Sequence, residues 1–430
     1  MASRRLRTAL ILTALATLLP SGAGAPALAQ NQVAKDKATT TRDIAYRQWT
    51  TTAQFATGSG AGTVSTGDAL TIGAPVGQVS YTDPHTGITR LYDSATWTSP
   101  EVSPGFGATE IIPSWTADTP GGTWLQVDLR GVTQLGTTTK WYVMGRWAAD
   151  DHQILRTSVS GQGDADGFVA IDTFVAAAGH ALNGWQLRVT LLRPTGLAET
   201  PVLRSVGAAA SRLPDPGKLT ASTPAAALGT TLDVPKYSQE IHAGEYPQWD
   251  GGGEAWCSPT STSMVLAYWN TGPTPADYAW VEESYADPWV DYAARHTYDY
   301  NYQGAGNWPF NTAYAGRYGL DGFVTRLRSL NEAEAFIAAG IPLVASAAFK
   351  KNEIPGAGYS TNGHLLVIVG FTSTGDVVMN DPFAATNDDV RKVFGRAEFE
   401  AAWLNTSRGV VYVIHPSGVS LPPAPAQANW

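Results

Sequence analysis

One cysteine occurs in the 430 residues, Cys257, and its surroundings suit a nucleophile. The run Gly251-Gly252-Gly253-Glu254-Ala255-Trp256 leads into it, and Ser258 and Pro259 follow. The next stretch, to residue 269, carries apolar Met264, Val265, Tyr268 and Trp269. Ser258 is expected as a helix N-cap and Pro259 at the first helical position, where its missing N–H costs nothing. Cys257 would then stand at a helix N-terminus, where the dipole and unpaired N–H groups favour a thiolate. Free cysteines are most often small buried hydrophobes. Secreted chains, however, usually pair or avoid cysteine, so a lone thiol in one is marked as reactive. The flanking glycines are expected to leave room for a substrate backbone.

A thiolate nucleophile needs a proton carrier, an acceptor to orient that carrier, and donors for the developing oxyanion. Of seven histidines, His364 stands at the mouth of a strongly apolar strand, where a core would not ask for an unpartnered imidazole. A lone strand-end histidine is ordinarily a surface residue; the company of Cys257 and Asp381 raises this one. Asp381 lies across an expected hairpin from His364. If the loop around Thr374-Gly375 holds two or four residues, Asp381 shares the histidine's face; a three-residue loop selects Asn380 instead. For the oxyanion, the Cys257 backbone N–H is one expected donor, and a side-chain amide, Gln239 or Gln248, the second.

Export is expected from the start of the chain. Arg4, Arg5 and Arg7 precede an apolar run at 9–19, and Ala27-Leu28-Ala29 offers a cleavage site, so residues 1–29 read as a signal peptide. Its removal takes three arginines and no acids from a chain whose formal charge is already −9. An acidic chain with 15% charged residues and no basic tract is a poor nucleic-acid ligand. No later segment is apolar for long enough to span a membrane.

The length predicts two domains. Residues 30–42 are polar and expected to be disordered. Residues 43–212 read as an all-β, sandwich-like accessory domain. Leu125, Val127 and Leu129, then Trp141, Val143 and Trp147, then Trp185, Leu187, Val189 and Leu191 recur with period two. Asp164 and Asp166 could contribute to a calcium loop, but the Gly-Asp run around them reads better as a turn. Residues 213–232, rich in proline and alanine, are an expected linker. Residues 233–416 mix patterns as an α+β domain does, and 417–430 form a tail. In the α+β part, helices are expected at 332–339 and 394–403, and strands at 341–345, 365–369, 377–382 and 410–414.

Four motifs of that second part, Val234-Pro235-Lys236-Tyr237-Ser238-Gln239, Trp256-Cys257-Ser258-Pro259-Thr260, Gly363-His364-Leu365-Leu366-Val367 and Val378-Met379-Asn380-Asp381-Pro382, occur in the order of papain-like cysteine peptidases. They resemble most closely family thirty-nine of the cysteine peptidases, in its secreted actinobacterial branch. Asn307-Trp308-Pro309-Phe310-Asn311-Thr312-Ala313-Tyr314 resembles the same branch. The resemblance implies a papain-like domain with Cys257 as nucleophile, His364 as general base and acid, Asp381 as orienting group and Gln239 as oxyanion donor. Where the family commonly has Cys-Gly-Pro, this chain has Cys257-Ser258-Pro259.

The expected function is a secreted cysteine peptidase acting on peptide or protein substrates, cell-wall peptides among them, with no cofactor and no metal. Its rivals are a wall amidase or transpeptidase using the same thiol, and a non-catalytic binder of wall glycan or protein. A metal hydrolase finds no His-Glu-x-x-His or paired-ligand spacing.

Overall fold

The computed structural model describes residues 41–430. The expected signal peptide and nearly all of the polar segment after it lie outside the described residues. Two β-rich bodies follow one another along the chain.

The first contains a seven-stranded and a six-stranded antiparallel sheet. Alternation sets their inner faces. Strand Leu182–Pro194 pairs with Trp124–Thr133 so that Leu187, Val189 and Leu191 oppose Leu129, Val127 and Leu125. These six side chains join Ile111, Trp115 and Val206 of the other sheet in one apolar cluster, each burial contributing about 1.5–3 kcal/mol.

Strand Tyr142–Trp147 departs from its expected facing. A bulge at Met144 lets Trp147 oppose Leu125 and Tyr142 oppose Leu129, so Tyr142, Met144 and Trp147 point inward. Trp141 is only partly buried and lies under the guanidinium groups of Arg130 and Arg188, at 4.6 and 4.5 Å. Asp164 is a turn residue here: its Oδ1 accepts from the Tyr142 hydroxyl at 2.6 Å and from the Asp166 and Gly167 N–H groups.

The second body is built on a six-stranded antiparallel sheet. Its spatial order is Leu320–Arg326, Val410–Pro416, Leu343–Phe349, Thr361–Phe371, Val377–Asn380, Arg391–Phe394. Helices Cys257–Tyr268, Pro288–Thr297 and Trp308–Gly316 share one apolar cluster with Val344, Val367 and Tyr412. Helices Leu330–Ala338 and Arg396–Thr406 share another with Leu366, Ile368 and Val411. Burial on both faces is why the central strand reads as an unbroken apolar run rather than an alternating one.

Residues 213–232 do not cross between the bodies as a free tether. The Ser222 N–H donates to Glu400 Oε2 at 2.7 Å, the Ala225 N–H to Glu334 Oε2 at 2.8 Å, and Thr231 bridges Gly370. A Cβ on Gly370 would fall 2.3 Å from the Thr230 carbonyl, so glycine is required there.

The bodies are joined through buried aromatic and charged contacts. Phe310 sits edge-on to Trp115 and against Trp147, with centroids 6.2 and 5.4 Å apart. Glu110 of the first body pairs with Arg326 of the second, both buried, and Arg326 also donates to the Ser407 carbonyl at 2.6 Å. The C-terminal segment straps across both, with the Tyr46 N–H donating to Ala428 O and buried Asn429 donating to Arg326 O. Glu110→Ala is therefore expected to destabilise by about 3 kcal/mol or more, because it strands a buried guanidinium. Urea unfolding checks this, and should show one transition for both bodies in the parent protein.

Candidate active site

Cys257 is the first residue of helix Cys257–Tyr268, and Trp256 is its N-cap. The helix thus begins earlier than the Ser-Pro signal suggests, and Pro259 occupies the third position. That position also lies among the N–H groups with no partner inside the helix, so proline is accommodated equally well. Residues Ser258 to Leu266 are buried on every side, which makes this helix the axis of the second body. The Ser261 hydroxyl donates to the Leu365 carbonyl at 3.0 Å, and the Ser258 and Tyr412 hydroxyls lie 2.9 Å apart. These bonds fix the cysteine end of the helix beside the strand that carries His364.

Of the glycines before Cys257, Gly253 serves the protein's own backbone, while a Cβ on Gly251 would meet nothing within 4 Å. A Cβ on Gly253 would lie 2.4 Å from the His242 carbonyl carbon and 2.5 Å from Gln239 O. Only glycine lets the turn Gly253–Ala255 press against the turn Glu240–His242. The contact brings Gln239 to the cysteine loop, where its Nε2 donates to Glu254 O at 2.6 Å. That amide is buried, and the Glu240 carboxylate lies beside it as a second partner. Gln248 is exposed.

His364 and Asp381 meet across the hairpin, with Nε2 2.8 Å from Oδ1 and both side chains buried. Their pairing has an unexpected cause. The Thr372 N–H donates to Asp376 O, closing a loop of three residues, and that parity alone would select Asn380. A bulge at Val369, between the pairs Ile368–Met379 and Gly370–Val378, reverses the parity and returns Asp381 to the histidine's face. Asn380 points elsewhere, donating to Pro235 O at 2.9 Å and accepting from Arg391 Nε at 2.5 Å.

Two further residues complete the environment of Asp381. The Tyr359 hydroxyl donates to Oδ2 at 3.0 Å, and the Phe383 N–H donates to Oδ1 at 3.1 Å. The Phe383 ring packs against Tyr359 at 4.2 Å and closes over the pair. No sequence motif marks Tyr359; only the fold brings its hydroxyl to the carboxylate.

The electrostatics follow from these contacts. Burial opposes the His364 imidazolium, but hydrogen bonds to Asp381 and Cys257, with their charges, outweigh it and push the pKa up to about 10. Burial likewise opposes the Asp381 carboxylate, yet His364, the Phe383 N–H and Lys392 hold its pKa below the ordinary value. Burial first, then Asp381, drives the Tyr359 phenol upward, so it stays a donor. With Nε2 on Asp381, Nδ1 is the ring nitrogen left for the thiol. His242 and His296, by contrast, bond Glu245 and the Tyr292 carbonyl.

Residues 231–411 match the model of the Peptidase_C39 like family, and residues 45–211 match that of the Peptidase C39 N-terminal domain. The chain is C39-peptidase-like in both of its bodies. Among solved structures, a protein from Bacillus anthracis described as a C39-like peptidase is similar at 16% identity and a TM-score of 0.28. The match covers 43% of this chain and 96% of that one. No curated protein matches the chain.

In the C39-like body, then, one thiol, one imidazole, one carboxylate and one primary amide converge on the start of one helix. If Gln239 supplies an oxyanion donor, Gln239→Ala should lower kcat by about 10²–10³-fold with little change in KM. Steady-state kinetics on any cleaved peptide checks it.

Proposed function

We propose that this protein is an exported cysteine peptidase in which a papain-like Cys257-His364-Asp381 set hydrolyses peptide bonds. The observation that carries the reading is the buried His364–Asp381 pair, 2.8 Å apart, on a strand that the Cys257 helix bonds directly through Ser261 and Leu365. The family matches support peptidase chemistry in general. Export rests on the amino-terminal residues, and no helix among the described residues is long and apolar enough to cross a membrane.

In this reading the Cys257 sulfur attacks the scissile carbonyl carbon. The oxyanion receives the Cys257 N–H and a side-chain N–H of Gln239. His364 gives its Nδ1 proton to the leaving amine as the carbon–nitrogen bond breaks, which leaves a thioester on Cys257. Water then attacks the thioester, giving one proton to Nδ1, and the thiolate leaves as the carboxylic acid product forms. Asp381 keeps its charge throughout and steadies the imidazolium.

Product analysis by mass spectrometry tests the proposal, using the mature protein under reducing conditions on a mixed peptide library and on purified wall peptides. Library fragments carrying new carboxyl termini support the peptidase. Conversion of wall peptides alone supports the amidase or transpeptidase. No conversion of either, with retention on wall glycan, supports the binding protein and overturns the enzyme.

A further inference from the structure

A second group of chemically capable side chains lies inside the same body. His242 ends the turn Glu240–His242, Glu245 follows in the next loop, and Asp291 stands on helix Pro288–Thr297. His242 and Asp291 are fully buried and Glu245 nearly so. His242 Nδ1 lies 2.8 Å from Glu245 Oε2 and 3.3 Å from Asp291 Oδ2, and the three ligand atoms fall within 4.8 Å of one another.

Protons alone serve this cluster poorly. Nδ1 carries one hydrogen, and Glu245 takes it. Neither oxygen of Asp291 then has a hydrogen-bond donor among the described residues, although the side chain is completely buried. Such a carboxylate costs several kcal/mol unless something positive meets it. A protonated imidazole also balances only one of the two carboxylates. A divalent cation in place of the Nδ1 hydrogen leaves the group neutral and engages all three side chains.

We infer that His242, Glu245 and Asp291 form a site for a divalent cation of the zinc class. One imidazole nitrogen with two carboxylate oxygens suits zinc better than calcium, which prefers oxygen throughout. Tetrahedral bonds of zinc-like length separate neighbouring ligands by roughly 3.3 Å, and the two spacings from His242 Nδ1, 2.8 and 3.3 Å, lie close to that value. The cation joins the turn that follows Gln239 to helix Pro288–Thr297. Because Gly253 bears on the His242 backbone and Gln239 reaches Glu254, the cation braces the turns beside Cys257. Its role there is structural, and the site stands whether or not the protein is a peptidase.

Zinc titration of the full chain tests this inference. The Cys257→Ala background removes the thiol that would otherwise compete for the metal. After chelator treatment and dialysis, calorimetry and elemental analysis should give one equivalent of zinc, with a melting temperature that rises with zinc concentration. Asp291→Asn, nearly isosteric, should weaken binding by about 100-fold or more. Equal binding by parent and variant, or none by the parent, overturns the site. Should the variant fail to fold, X-ray absorption of the zinc-loaded parent decides. One nitrogen and two protein oxygens support the site, and a shell without histidine nitrogen overturns it.

Discussion

Cys257→Ala is expected to abolish peptide cleavage, lowering kcat by about 10⁴-fold or more while the fold persists. The size follows from the absence of any substitute: the chain has no second thiol, and the Ser258 hydroxyl is buried against Tyr412. The stability cost should be small, because the side chain is only partly buried and the helix is anchored elsewhere, through Ser258 and Ser261. Circular dichroism and thermal melting close to those of the parent, with cleavage lost, is the expected pair of results. Retained cleavage in a protein free of contaminating peptidase would remove the thiol from the mechanism.

Asp381→Asn should lower kcat/KM by about 10³–10⁴-fold and change the shape of the pH profile. In the parent, His364 titrates near 10, raised against burial chiefly by Asp381 and Cys257. A group raised on folding stabilises the native state most fully below its unfolded pKa, roughly 6.5. That contribution fades as pH climbs from there and is gone above about 10. Activity that depends on the imidazolium should therefore hold through neutral pH and fall on an alkaline limb near 10. Removing the carboxylate charge leaves burial less opposed, so the limb should move down by about 1–3 pH units. A kcat/KM profile from pH 5 to 11 checks both points. An unmoved limb would show that Asp381 does not govern the imidazole.

What could be read from the amino acids was the identity of the groups; what could not was the local irregularity that aims them. Cys257, His364 and Asp381 are conspicuous as residue types in their surroundings. Yet hairpin parity chooses Asp381 only because a three-residue loop and the bulge at Val369 cancel. A bulge has no composition of its own, so no periodicity reports it. The same blindness inverted Trp141 and Tyr142, where the bulge at Met144 intervenes. The Gly251-Gly252-Gly253 run was visible, but its use was not: Gly253 admits the backbone of His242 and not a substrate. Tyr359 and Asp291 are unremarkable in sequence because their partners are brought to them only by the sheet and by helix Pro288–Thr297. Strands at 182–194 and 361–371 were the most legible, since burial on one face or both writes itself directly into the apolar pattern.

The most direct measurement of the central claim is the rate at which iodoacetamide labels Cys257 in the native protein at neutral pH, followed by intact mass. A single cysteine makes each added label unambiguous. If Cys257 is a nucleophile paired with His364, the native thiol should react faster than the same thiol in the unfolded chain. His364→Ala should then slow it by about tenfold or more. A native thiol that stays unlabelled until the protein is denatured would contradict the account.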